Sequence, residues 1–138
     1  MNWKQFIIAV IVGFIALGVM DYVIQELILG GAYEPLAGTV FRAREDMNSK
    51  LWAMILAEII FVVMFVWIYT FGVKGKGLME GVRYGLYIGL LYSIVPSVGI
   101  WAMIPVSGWL CWMWIIFSLI ETIILGLIVG AIYKTVRA

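Results

Sequence analysis

Four long apolar runs, separated by short polar stretches, set the pattern of the chain: about 6–29, 51–71, 81–104 and 110–133. A bilayer core about 30 Å thick takes about 20 helical residues at about 1.5 Å each, so each run predicts one membrane-spanning helix. A single helix satisfies its own backbone in lipid, and the period-2 alternation of a membrane barrel is absent. The expectation is an all-α integral membrane protein: a four-transmembrane-helix bundle forming one domain over residues 1–138. In the first run the uninterrupted apolar part, 6–20, is too short to cross alone, which draws Asp21 into the membrane. Lys4 followed by that part has the look of a signal peptide. No small-x-small cleavage site follows, so it reads as an uncleaved first span.

The polar positions between the runs give an orientation. With four spans, both termini and the 71–81 loop share one side, which carries Lys4, Lys74, Lys76, Arg83, Lys134 and Arg137. The other side carries Arg42, Arg44 and Lys50 near Glu34, Glu45 and Asp46. Excess Lys and Arg marks the cytoplasmic side, so the N and C termini are expected in the cytoplasm and the protein in the inner (plasma) membrane, multi-pass. Trp52, Trp101, Trp109 and Trp112 are placed in an outer aromatic belt, with Trp3, Trp67, Tyr69 and Tyr133 in an inner one. The outer loop, 30–50, starts with helix breakers at Gly30, Gly31, Pro35 and Gly38. Residues 39–47 then predict a short helix capped by Thr39. It either lies on the membrane surface with Val40 and Phe41 facing down or is a solvated connector.

Composition reinforces the membrane assignment and removes whole classes of function. Hydrophobic residues make up 65% of the chain and charged ones 12%, with mean hydropathy +1.11. A soluble domain is about half apolar and a quarter charged. A net charge of +1 suggests neither nucleic-acid binding nor a strong polybasic lipid patch. The single cysteine, Cys111, excludes an internal disulfide and a multi-cysteine centre, and reads as a small apolar helix residue. With no histidine there is no His-ligated haem, no imidazole metal site and no Ser–His or Cys–His pair. There is also no phosphate loop. The chain is not expected to be an enzyme or to carry a cofactor.

Candidate chemistry lies inside the spans. Glu58 and Glu121 each interrupt an apolar run, and an intramembrane acid costs at least a few kcal/mol. Placed side by side, alternating spans bring Glu58, Glu121 and Asp21 to similar depth, at or just outside the midplane. Gln25, Tyr92, Ser93, Ser97, Ser118 and Thr122 fall in the same layer as a supporting polar set. Pro96 frees the carbonyl of Tyr92 at that level. A structural account makes the acids protonated and hydrogen-bonded. A functional account makes them a site for a proton or small cation, because close carboxylates resist double ionisation. Tyr92, Trp114 and Phe117 could meet an organic cation by cation–π attraction.

Gly81, Gly85, Gly89, Ser93 and Ser97 recur every fourth residue, and Gly126 and Gly130 repeat the spacing in the fourth span. Such stripes let helices approach closely in lipid. A membrane-embedded glutamate among aromatics in four helices is similar to the architecture of small multidrug transporters. Those rely on an acid in the first span, whereas the glutamates here are in the second and fourth. The Asn-Trp-Lys start, Gly13 and Gly18 leading into Asp21-Tyr22, and the glycines of the third and fourth spans resemble a family of small four-helix bacterial inner-membrane proteins of unknown function. That resemblance implies topology and no activity.

Three functions follow as expectations. The first is an oligomeric proton- or cation-coupled transporter or channel that uses Glu58 and Glu121 as its central pair. The second is an accessory or scaffold subunit of a larger membrane complex, docked through its small-residue stripe. The third, ranked last, is a hard-metal site or membrane enzyme built on the acids.

Overall fold

The computed structural model describes residues 1–136 and is helical almost throughout. Arg137, counted above on the basic side, lies outside the described residues. Helix α1 spans Trp3–Tyr22 and continues without a break into a wider π-helical stretch, Val23–Ile28. Two short helices follow in the connection, α2 (Gly30–Tyr33) and α3 (Arg44–Ser49). The long helices α4 (Leu51–Gly72), α5 (Leu78–Met103) and α6 (Gly108–Ile132) complete the chain. Four helical stretches are long and apolar enough to cross a membrane: Trp3–Ile28, Leu51–Gly72, Leu78–Met103 and Gly108–Ile132.

The helix ends are set by local chemistry. Asn2 accepts a hydrogen bond from the Gln5 amide at 3.1 Å and caps α1. Ser107 accepts from the Leu110 amide at 3.2 Å and starts α6. Between α4 and α5, Gly75 and Gly77 take positive φ values of 72° and 90°. The Glu80 carboxylate reaches back to accept from the amides of Lys74 and Lys76, at 2.5 and 2.9 Å. α5 then runs through Pro96 to Met103 as one helix.

Helices α5 and α6 pack backbone against backbone. A Cβ on Gly81 would strike the Gly126 carbonyl oxygen, and one on Gly85 would strike that of Thr122. A Cβ on Gly89 would meet the Thr122 side chain and lie 2.8 Å from Leu119 Cδ1. Gly130 faces Gly81, where a Cβ would lie 3.0 Å from the Gly81 Cα. The small-residue stripe is therefore occupied by α6 within the chain. α1 lies between α4 and α6, with Gly13 against Leu125 on one side and Val62 on the other. Phe6, Ala9 and Leu17 of α1, Val62, Phe65, Val66 and Tyr69 of α4, and Leu125 and Val129 of α6 make the apolar core. At about 25 cal/mol per Å², burying one such side chain contributes about 1.5–3 kcal/mol relative to water. Relative to lipid, only the better packing remains.

Contact between α4 and α5 is of another kind. It is made by rings rather than backbones: Tyr84 packs edge-on against Phe65 and Tyr69, and its hydroxyl donates to the Phe65 carbonyl at 2.6 Å. Farther along, Phe61 stacks on Tyr92 with ring centres 4.3 Å apart. Buried positions of α4 begin at Val62 and continue to Thr70.

Three local expectations are corrected. Residues 39–47 do not form a Thr39-capped helix. Gly38, at φ 78°, sustains a turn in which Thr39 Oγ donates to the Leu36 carbonyl, and the helix starts only at Arg44. Phe41 faces protein, edge-on to Tyr33 and 6.4 Å from Trp114. Tyr69 and Tyr133 are 3% and 0% exposed, so both are core residues and not belt residues. Trp3, Trp52, Trp101, Trp109 and Trp112 do point outward.

Candidate functional site

Asp21 lies in the last turn of α1, where the helix widens into the π stretch. Wide π turns recur at functional sites because they re-aim side chains. Glu121 lies in mid-α6, turned into the bundle and only 5% exposed. The Asp21 and Glu121 carboxyl groups meet closely enough to share a hydrogen bond. Two ionised carboxylates are both acceptors, so such a bond needs one proton held between them. Glu58 stands a little apart on α4. It packs over Gly18 of α1, where a Cβ would sit 3.3 Å from its Oε1, and it is within electrostatic range of Asp21. Tyr92 of α5 lies within electrostatic range of all three acids. Every long helix thus contributes to one acidic layer, and the intimate pair in it is Asp21–Glu121.

The layer has no compensating charge among the described residues. The ion pairs, Arg42–Asp46, Lys50–Asp46 and Arg44–Glu26, all lie in or beside the connection between α1 and α4. No N–H or O–H donor of the described residues reaches Oε1 of Glu58 or Oε1 of Glu121, though both atoms are buried. A buried carboxyl oxygen without a donor forfeits about 1–3 kcal/mol.

Part of the expected supporting set is engaged elsewhere, and the buried Ser93 Oγ has no hydrogen-bond partner among the described residues. Gln25 Oε1 accepts from the Tyr33 hydroxyl at 2.6 Å, and that hydroxyl accepts from the Trp114 indole N–H, also at 2.6 Å. Trp114 is therefore committed to this chain instead of facing the acids. With Phe41 against both rings, this hydrogen-bonded chain closes the end of the bundle where α4 begins. Burial pushes the Tyr33 hydroxyl above the ordinary tyrosine range, and the Trp114 bond offsets part of that. Tyr33 thus stays protonated and can donate. Thr122 Oγ donates to the Leu119 carbonyl at 3.0 Å and packs under Gly89. Ser93 and Ser97 are buried in the α5–α6 seam, and the Ser97 carbonyl receives the Cys111 thiol at 3.5 Å. Ser118 is half-buried. No hydrogen bond joins Ser93, Ser97, Ser118 or Thr122 to the acids among the described residues.

Sequence reasoning missed Tyr33 and Phe61, and considered Phe41 only as a membrane-surface residue. Tyr33 follows a Gly-Gly break that reads only as a loop, and its partner Trp114 is 81 residues away. Among the described residues, no group of three or more acids and thiols converges as a metal site. Comparisons of the chain with family models, with curated proteins and with solved structures find no match.

Proposed function

We propose that this is a small multi-pass membrane protein that binds and releases a proton, in exchange for a small cation, at an intramembrane carboxyl pair. The Asp21–Glu121 contact carries the reading: the carboxyl groups of two acids from different spans come within hydrogen-bond reach in apolar surroundings, with no base beside them among the described residues. A proton satisfies that geometry, and a monovalent cation could take its place between the same oxygens. Glu58 modulates the pair through its charge. Transport is the use that best accounts for acids retained at such cost. The basic residues beside the termini support a cytoplasmic location for both ends and an inner-membrane address. Four helices enclose little volume, so the working unit is an oligomer. The scaffold reading loses its expected docking face, because α6 covers the small-residue stripe.

Reconstitution into vesicles tests the proposal. Asp21→Asn and Glu121→Gln keep size and polarity but remove the exchangeable proton. Each should abolish proton-linked cation flux, and Glu58→Gln should shift its pH dependence while leaving flux measurable. Full flux in both pair variants, with wild-type stability, would refute the reading.

A further inference from the structure

A second site lies at the end of the bundle that carries the N terminus. There α4 ends at Gly72 and α5 begins at Leu78, and the ring-mediated seam between them leaves a cavity of about 490 Å³. That volume falls within the roughly 300–1,000 Å³ of small-molecule sites. Lys74, Lys76 and Arg83 line it, together with Glu80 and the rings of Tyr84 and Tyr87. None of the three cations belongs to an ion pair among the described residues. Glu80 is occupied: its two carboxylate oxygens accept the Lys74 and Lys76 amides. By pinning the backbone of a loop bent at Gly75 and Gly77, it holds both lysines at the cavity. The lining therefore has three cations against one committed anion. Met79 and Tyr87, 59% and 67% exposed, extend the wall as an apolar surface facing the bilayer.

We infer that this cavity binds the headgroup of an anionic phospholipid. The phosphate is held by Lys74, Lys76 and Arg83, and the acyl chains lie along Met79 and Tyr87. The cavity sits where two spanning helices end, which is headgroup depth. Basic pockets between spans at that depth are suited to anionic lipid. Arg83 is one turn inside α5, with an aliphatic stem long enough to bring its guanidinium out to a phosphate. A soluble phosphate would use the same cations but gain nothing from the apolar wall, so lipid is the occupant the lining favours. The net charge of +1 hides this site, because the chain's acids lie mostly at other levels.

The full chain in detergent, given equal phosphatidylglycerol and phosphatidylcholine, should retain phosphatidylglycerol selectively in native mass spectrometry. Lys74→Gln, Lys76→Gln and Arg83→Gln should each lower that selectivity about fivefold, the equivalent of one lost surface cation. Arg83→Lys should keep it. Lys4→Gln, on the same end but outside the cavity, should leave it unchanged. Size-exclusion profiles establish that each variant is folded. Equal retention of both lipids, or an equal loss in Lys4→Gln, would overturn the inference. Displacement of the lipid by inorganic phosphate at similar concentration would also overturn it, in favour of a soluble anion.

Discussion

Replacing Gly126 by alanine should separate α5 from α6. A Cβ there would lie 2.9 Å from Gly85 Cα and 3.0 Å from Gly85 N, and closer still to the Gly81 carbonyl oxygen. All three obstacles are backbone, so no rotamer change relieves them and the helices must move apart. Overpacking of this kind costs about 1–3 kcal/mol, with rigid obstacles at the upper end. Alanine's helix preference over glycine returns about 1 kcal/mol, leaving a net loss of about 2 kcal/mol. Two other glycines isolate the steric term. Gly99 has nothing within 4 Å of its Cβ position, so Gly99→Ala should stabilise by up to about 1 kcal/mol. Gly13 would meet Leu125 Cδ1 at 2.9 Å and Val62 Cγ1 at 3.3 Å. Those are side-chain ends that can give way, so Gly13→Ala should be near neutral. Unfolding in mixed micelles, followed by the fluorescence of the seven tryptophans, ranks the three variants. The expected order of stability is Gly99→Ala, then Gly13→Ala, then Gly126→Ala, with about 3 kcal/mol between first and last. Equal stability of Gly126→Ala and Gly99→Ala would show that α5 and α6 are not packed backbone to backbone.

Two further predictions concern the connection between α1 and α4. Tyr33→Phe removes both hydrogen bonds of the Trp114–Tyr33–Gln25 chain and should cost about 1–2 kcal/mol. Amide exchange across residues 30–50 should rise, and Trp114→Phe should loosen the same segment; unchanged exchange in both would count against the closure. Arg42 first, and then Lys50, hold the exposed Asp46 carboxyl below the usual aspartate range. The shift is downward, so this contribution is fully present above the ordinary value of 3.8 and fades as pH falls through the lower folded value. An NMR titration should find the Asp46 midpoint low in the wild type and higher in Arg42→Gln; equal midpoints would remove the ion pair from solution.

The long helices were legible because length and hydropathy alone decide whether a run can cross lipid. The glycine stripe was legible as a packing face, since its period of four matches the helix. Its partner was not, because Gly126 and Gly130 offer the same signal to any small-residue face. The acids show where depth arithmetic stops. Counting residues placed Asp21, Glu58 and Glu121 at one level and favoured Glu58 with Glu121. Level says nothing about azimuth, and Gly18 gives Glu58 a seat on α1 while α6 turns Glu121 toward Asp21. Thr122 and Ser93 shared the level as well, but their short side chains fill the α5–α6 seam. Thr39 offered a sound capping residue, yet Gly38 had already bent the chain into a turn that used its hydroxyl.

The backbone seam between α5 and α6 also bears on how the protein enters the bilayer. The two helices are joined by residues 104–107 alone, so they can insert as a closed hairpin during synthesis. Glu121 would then enter the membrane with one flank already covered by its neighbour. Its meeting with Asp21, laid down a hundred residues earlier in α1, becomes the last step of assembly. A chain stalled before α6 would leave Asp21 without its partner in a layer that has no compensating charge among the described residues.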